Sequence, residues 1–282
     1  MTSTLTEQAV SRAPRRERPA DQFRMGPLST AGLGLAVLWL SILVLLPLAA
    51  VIAKGTGSGW SGFANAFTDP EAFAAIRLTV LASLAVGVIN AVMGTIIAWV
   101  LVRDRFPGKR ILEIVIDLPF ALPTIVAGLV LLTLYSAHSP IGVHLYATKP
   151  AIIIALLFVT LPFVVRSVEP VLLALERDVE EAAASLGAGP WTTFRRIVLP
   201  AIAPAVLSGS ALAFGRAMGE FGSVVLISGQ LQRTQIASLY IYNQIQDDAL
   251  SEAAATATVL LIISLLVMAA VAAVGYWSAR RA

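Results

Sequence analysis

Six stretches of this 282-residue chain are apolar for longer than a helix needs to cross a bilayer. They fall at residues 32–53, 76–102, 111–135, 151–172, 200–228 and 253–277, separated by segments that carry charge, proline or glycine. A helix rises 1.5 Å per residue, so about 20 apolar residues cover the roughly 30 Å of hydrocarbon. None of the runs shows the ten-residue alternation of a membrane barrel, and inside lipid only helices or closed barrels satisfy the backbone. The expectation is an all-α, polytopic membrane protein with about six transmembrane helices. With 57% hydrophobic and 13% charged residues, the composition is far more apolar than that of soluble domains.

Residues 1–27 hold Arg12, Arg15, Arg16, Arg18 and Arg24 among Ser, Pro and polar residues. Such a segment buries too little apolar surface to fold and is expected as a flexible basic cytoplasmic tail. The run that follows is long enough to span, unlike a signal peptide's, so the tail is expected in the mature chain. Residues 28–282 then form the membrane domain. With six crossings, fifteen of the 20 basic residues share the tail's side, four (Lys54, Arg77, Lys149 and Arg233) lie opposite, and Arg216 sits inside the fifth run. Basic residues concentrate on the cytoplasmic side, so both termini are expected there. The net charge of +3 is accounted for by that topology beside anionic lipid headgroups and calls for no nucleic-acid partner. There is no cysteine, which excludes disulfides and thiolate metal sites.

The loop over about 178–199, between the fourth and fifth runs, has legible local physics. Asp178 is placed to cap a helix, with Glu181 returning the bond, and Ala182, Ala183 and Ala184 favour helix intrinsically. Gly187 and Gly189 stop it, Pro190 opens a second short helix, and Pro200 opens the fifth span. A connector lying amphipathically on the membrane would satisfy these features alone. The wider spacing is more specific. Glu181-Ala182-Ala183, three residues, Gly187, nine residues, Ile197, one residue and Leu199-Pro200 resembles the coupling loop of ABC-importer permeases at every signature position. The resemblance implies a type I importer permease fold in which cytoplasmic coupling helices seat in a partner ATPase. No ATPase is encoded in this chain, since the Gly108-Lys109 pair continues with Arg110 rather than the Ser or Thr of a phosphate loop.

Ionisable residues inside spans cost roughly 2.5–3.5 kcal/mol on insertion scales and usually face a pathway or a partner. Arg216 and Glu220 stand four apart in Gly215-Arg-Ala-Met-Gly-Glu-Phe-Gly-Ser223. Two readings stand: the pair neutralises itself in a structural or gating role, or Arg216 offsets the charge of an anion in transit. The carboxylate weighs against a simple anion pocket. Asp117, Pro119, Pro123 and Thr124 mark a second candidate stretch, where the prolines break or bend the third helix. Arg166 with Glu169 reads as an interfacial ion pair, and His138 and His144 as loop residues without metal spacing. Trp39, Trp99, Tyr276 and Trp277 fit an aromatic belt near span ends.

Two segments, Asp117-Leu-Pro-Phe-Ala-Leu-Pro-Thr-Ile-Val-Ala-Gly128 and Gly215 to Gly229, resemble the sulfate/thiosulfate permease family of ABC importers, in its T-type subunit. The second segment is also similar to molybdate and tungstate permeases, which are the alternative. Gln230 departs from the Asn common in the family after Ile-Ser-Gly. The resemblance implies a non-catalytic subunit of the bacterial cytoplasmic (inner) membrane. It implies as partners a second, W-type permease, two copies of a cytoplasmic ABC ATPase and an extracytoplasmic sulfate-binding protein. No cofactor is expected on this chain, ATP and its magnesium belonging to the ATPase. It implies coupling by Glu181, Ala182, Ala183, Gly187, Ile197, Leu199 and Pro200. A pathway or gate is expected at Asp117, Pro119, Pro123, Thr124, Arg216, Glu220 and Ser223. A membrane enzyme is the rival of another class, but the spans lack a His and carboxylate cluster or an activated nucleophile.

Overall fold

A computed structural model describes residues 26–57, 59–175 and 177–279. Nearly all of the basic tail, and the side chains of Tyr276 and Trp277, therefore lie outside the described residues. By its internal contacts the chain divides into two units, up to Ala49 and from Ala50 onward. Where described, α1 (Pro27–Leu40) runs through a π-helical turn at Ser41–Leu45 into α2 (Leu46–Thr56) as one apolar helical rod, of which the part up to Ala49 is the first unit. The rod is long and apolar enough to cross a bilayer.

In the second unit a short α3 (Gly59–Thr68) leads to α4 (Pro70–Arg103), which is capped by Asp69 accepting from the Glu71 amide at 3.0 Å. Then follow α5 (Lys109–Ala121), α6 (Thr124–Tyr135) and α7 (Lys149–Ala174). Next come α8 (Arg177–Ser185), α9 (Pro190–Thr193) and α10 (Leu199–Met218). The chain ends with α11 (Gly222–Ile227), α12 (Ala237–Gln246) and α13 (Leu250–Ala279). Among the described residues five helical stretches are long and apolar enough to span, or six if α5 and α6 count as one broken span.

The centre of the unit is α4, α7 and α10. Val164 of α7 is fully buried between them, and small residues let the backbones close on it: a Cβ added at Gly94 of α4 would come 2.8 Å from the Val164 Cβ, and one at Gly209 of α10 would come 2.9 Å from its Cα. Small residues at such crossings are what membrane helices use in place of a hydrophobic driving force. Across the same seam the amide of Asn90 donates to the Thr160 hydroxyl at 2.8 Å, and that hydroxyl donates to the Leu156 carbonyl at 2.7 Å. Two apolar clusters flank this seam. One gathers Ala82, Val86, Leu156, Val224 and Ile227, the other Leu101, Ile116, Val168, Val198 and Ile202.

Two of the apolar runs do not fold as single spans. The run at 111–135 is bent by 115° between α5 and α6. Pro123 offers no amide to continue the helix and holds Leu122 in the extended region at φ −84°, ψ 134°. Pro119, also expected to break the helix, lies inside α5. The run at 200–228 ends as a helix at Met218, turns through Gly219, Glu220 and Phe221, and resumes as α11. At its other end the span begins at Pro190 rather than Pro200, because α9 continues through a π-helical turn at Phe194–Val198 into α10. Pro200 has no amide to give the ladder, and the wider turn accommodates it, with the Leu199 amide reaching back to the Phe194 carbonyl.

Candidate functional site

The loop at 178–199 folds as one short helix and a turn that feeds directly into a span. Helix α8 starts at Arg177, so Asp178 lies in its first turn with Glu180 instead of capping it from outside. There the two carboxylates complement the helix dipole. The helix ends in a Schellman turn. The Ala188 amide donates to the Ala183 carbonyl at 3.0 Å and the Gly187 amide to the Ala184 carbonyl at 2.9 Å, with Gly187 at φ +86°. Glycine is required there by the left-handed backbone and not by crowding, since a Cβ would meet nothing within 4 Å. Gly189, by contrast, has an ordinary extended conformation at φ −72°.

Helix α8 buries none of its residues. Glu181 and Ala182 are exposed, Ala183 is half-buried, and beyond the turn Leu186 and Trp191 are 89% and 70% exposed. On the return limb Ile197 is half-buried and Leu199 and Pro200 are exposed, while Val198 between them is buried in the core. The turn is thus a projection whose far side has no partner among the described residues. Its near side is tied to α4. Arg103, the last residue of α4, donates to Glu180 of α8 and, at 3.3 Å, to the Leu175 carbonyl. Arg177 of α8 donates back to the Arg103 carbonyl at 3.0 Å. One turn earlier on α4, Trp99 meets Phe194 edge-to-face at 5.6 Å, and Phe194 stacks on Trp191 at 5.7 Å.

The two helix breaks form a second site, because they face each other. Gly128 of α6 lies so close to α11 that a Cβ would come 2.8 Å from the Ser223 carbonyl oxygen. A Cβ on Gly222 would come 2.2 Å from the Thr124 Oγ1 and 2.9 Å from the Ile125 amide nitrogen. An open cleft of about 470 Å³ lies at this junction, lined among others by Pro123, Thr124, Arg216, Glu220 and Gly222. Glu220 is 1% exposed and acts as the anchor. One carboxylate oxygen accepts from the Ser223 amide at 2.8 Å and so caps α11, and the other lies 2.5 Å from Nη1 of Arg216. Its backbone carbonyl accepts from the Ser238 hydroxyl of α12 at 2.6 Å. The Arg216 side chain, 33% exposed, is among the residues that line the cleft. The two residues, four apart in sequence, pair across the end of α10 at Met218.

Four of the candidate pathway residues (Pro123, Thr124, Arg216 and Glu220) therefore come together, and three do not join them in lining the cleft. Ser223 is fully buried behind it. Pro119 is inside α5. Asp117 is held by Arg166 of α7 in a bidentate pair, at 2.9 and 2.5 Å, and Arg166 also reaches Glu169 at 2.5 Å. The Arg166 and Glu169 pair read from sequence is thus part of a three-residue tie between α5 and α7. Sequence reasoning missed the role of Arg103, which it counted only as a topology charge. Its acceptor Glu180 is 77 residues away, and nothing local signals the pairing. Among the described residues no group of His, Cys, Asp or Glu has the geometry of a metal site.

Residues 90–282 match the family described as "Binding-protein-dependent transport system inner membrane component". The "Sulfate transport system permease protein CysT" of Synechocystis sp. is 40% identical over 254 residues, 87% of this chain and 89% of that one. The protein of the same name from Synechococcus elongatus is 44% identical over 250 residues, covering 86% and 90%. That from Escherichia coli K12 is 39% identical over 253 residues, covering 87% and 91%. Among solved structures, a bacterial ABC transporter that imports the acidic polysaccharide alginate superposes with a TM-score of 0.71 at 18% identity, over 90% of this chain and 95% of that one. The fold is that of an ABC-importer permease. On the family match and on relatives near 40% identity over most of both chains, this protein belongs to the binding-protein-dependent transport system inner membrane components.

Proposed function

We propose that this chain is the permease subunit of an ATP-driven importer that passes sulfate or thiosulfate across the bacterial cytoplasmic membrane. The observation that carries the reading is the α8 projection, a capped helix with no buried residue at the Glu181 to Gly187 signature. The relatives named for sulfate transport support the cargo. Both termini and α8 face the cytoplasm in this reading, which the excess of basic residues on that side supports. The partners are a second, W-type permease, two copies of an ABC ATPase that hold the ATP and magnesium, and an extracytoplasmic sulfate-binding protein. Closure of the ATPases around ATP moves the loop of Glu181, Ala182, Ala183 and Gly187 together with the return limb at Ile197, Leu199 and Pro200. The bundle rocks outward-facing and accepts the anion, and hydrolysis resets it.

The anion passes the junction of the two helix breaks. There Thr124 and the Arg216 guanidinium offer donors, while the Glu220 carboxylate keeps the net charge near zero. A site that held the dianion tightly would retain it, so the binding protein supplies affinity and the permease a weakly binding route. Asp117, Pro119 and Ser223 act behind this junction as supports, through the Arg166 tie, the α5 helix and the α11 cap. The test is uptake of labelled sulfate by cells lacking their own sulfate permease, with the partner subunits present. Wild-type chain restores uptake and excess molybdate competes weakly; Glu181→Arg reaches the membrane but restores none. Full uptake by Glu181→Arg, or uptake abolished by molybdate, contradicts the reading.

A further inference from the structure

The chain enters α10 directly from the coupling turn, so the simplest expectation is that α10 receives the stroke of α8. The side-chain bonds of α8 point elsewhere. Helix α8 has no buried residue, so apolar packing does not hold it. Among the described residues its side-chain ties to the rest of the chain run to one place, the last turn of α4. Glu180 accepts from Arg103, and Arg177 donates to the Arg103 carbonyl at 3.0 Å. The limb on the other side of the turn grips the same place, through Phe194 against Trp99 at 5.6 Å. The Arg103 guanidinium itself stands over the Trp99 ring, 5.7 Å from its centre. Between the turn and α10 lies the π-helical segment Phe194–Val198, a break in the regular ladder of the kind frequent at functional sites.

We propose that Arg103 is the positioning residue through which α8 drives α4, making α4 and not α10 the first span to move. The pair with Glu180 suits the role. It is charge-assisted, and its side chains are only 11% and 23% exposed, so water and salt weaken it less than a surface ion pair. Arg103 also holds the Leu175 carbonyl at 3.3 Å, joining the inner ends of α4 and α7 to the base of α8. From α4 the displacement reaches the cleft by packing: a Cβ on Gly87 would lie 3.7 Å from the Ser210 carbonyl oxygen and 3.9 Å from the Phe214 Cβ of α10, just before Arg216. Arg103 touches neither cargo nor nucleotide in this arrangement and works through Glu180.

This rests on the reading of α8 as the seat of the ATPase, and the experiment separates the two. The complete importer, with both permeases, the ATPases and the binding protein, is reconstituted in proteoliposomes carrying Glu180→Gln, Arg103→Glu or the reversal Arg103→Glu with Glu180→Arg. Sulfate delivered per ATP hydrolysed is measured, with co-purification of the ATPase as control. Each single variant keeps its ATPase but delivers about tenfold less sulfate per ATP, within the range of typical coupling energies. The double reversal restores most of the loss, which a purely structural role would not produce. Glu180→Gln, on a helix without buried residues, carries the test whatever Arg103→Glu does to folding. Wild-type stoichiometry in the single variants, or a double reversal no better than they are, overturns the proposal alone. A wild-type chain that retains no ATPase overturns the reading of α8 and this proposal with it.

Discussion

Tyr240 of α12 donates its hydroxyl to Asp69 at the start of α4, at 2.7 Å, and accepts from the Gln244 amide at the same distance. Both ionisable groups lie outside the candidate spans. Burial, and after it the bond to Asp69, pushes the Tyr240 phenol from 10.0 up to about 12. The Asp69 carboxyl is held below its ordinary value, chiefly by the Tyr240 hydroxyl and then by the amides of Glu71 and Ala72. The signs follow from which state binds more protons. The tyrosine's contribution is complete below pH 10 and is lost as pH rises through about 12. The aspartate's is complete above its unfolded value and is lost as pH falls through the depressed one. Tyr240→Phe should cost about 1 kcal/mol at neutral pH, the net worth of one hydrogen bond. It should also flatten the loss of stability at high pH. Thermal unfolding of the detergent-purified chain against pH checks both, and equal alkaline slopes in the two proteins contradict the assignment. Single-residue logic was also readable at Gly187, where a glycine after an alanine run foretold the turn that its φ of +86° provides.

At the scale of elements, hydropathy located each candidate span among the described residues but not the breaks within two of the apolar runs. It counts apolar residues and is blind to the direction of the backbone. Gly219, Phe221 and Gly222 are apolar or small, so the run at 200–228 reads as unbroken although its helix stops at Met218. Pro123 did announce a break, because a missing amide is a local fact, but not the 115° bend that followed. The mutual packing of the breaks was not legible at all, since Gly128 and Gly222 acquire their meaning only from each other's neighbourhood. That packing makes a firm prediction. Gly222→Ala places a methyl 2.2 Å from the Thr124 hydroxyl and 2.9 Å from the Ile125 backbone, so the two elements must separate. Overpacking of this kind costs typically about 1–3 kcal/mol. Purified Gly222→Ala should melt earlier, and sulfate uptake should fall. Truncating Thr124 in the same chain should recover only part, because the Ile125 amide remains in the way. An unchanged melting temperature would show that the breaks are not packed as described.

Over the whole molecule, the sequence conveyed what is repeated or local: apolar runs, the bias of basic residues, the spacing around Glu181. It could not convey which distant charges meet. Arg103 with Glu180, and Asp117 with Arg166, look in sequence like isolated charges and in space join separate helices. The account as a whole requires the tip of the coupling turn to lie in the cytoplasm against a separate ATPase. A chain with no cysteine allows this to be read directly from Leu186→Cys, at a side chain 89% exposed in the native protein. A membrane-impermeant maleimide should label that cysteine in inside-out vesicles and not in intact spheroplasts, and bound ATPase should suppress the labelling. Labelling from the outside, or labelling indifferent to the ATPase, would contradict the account.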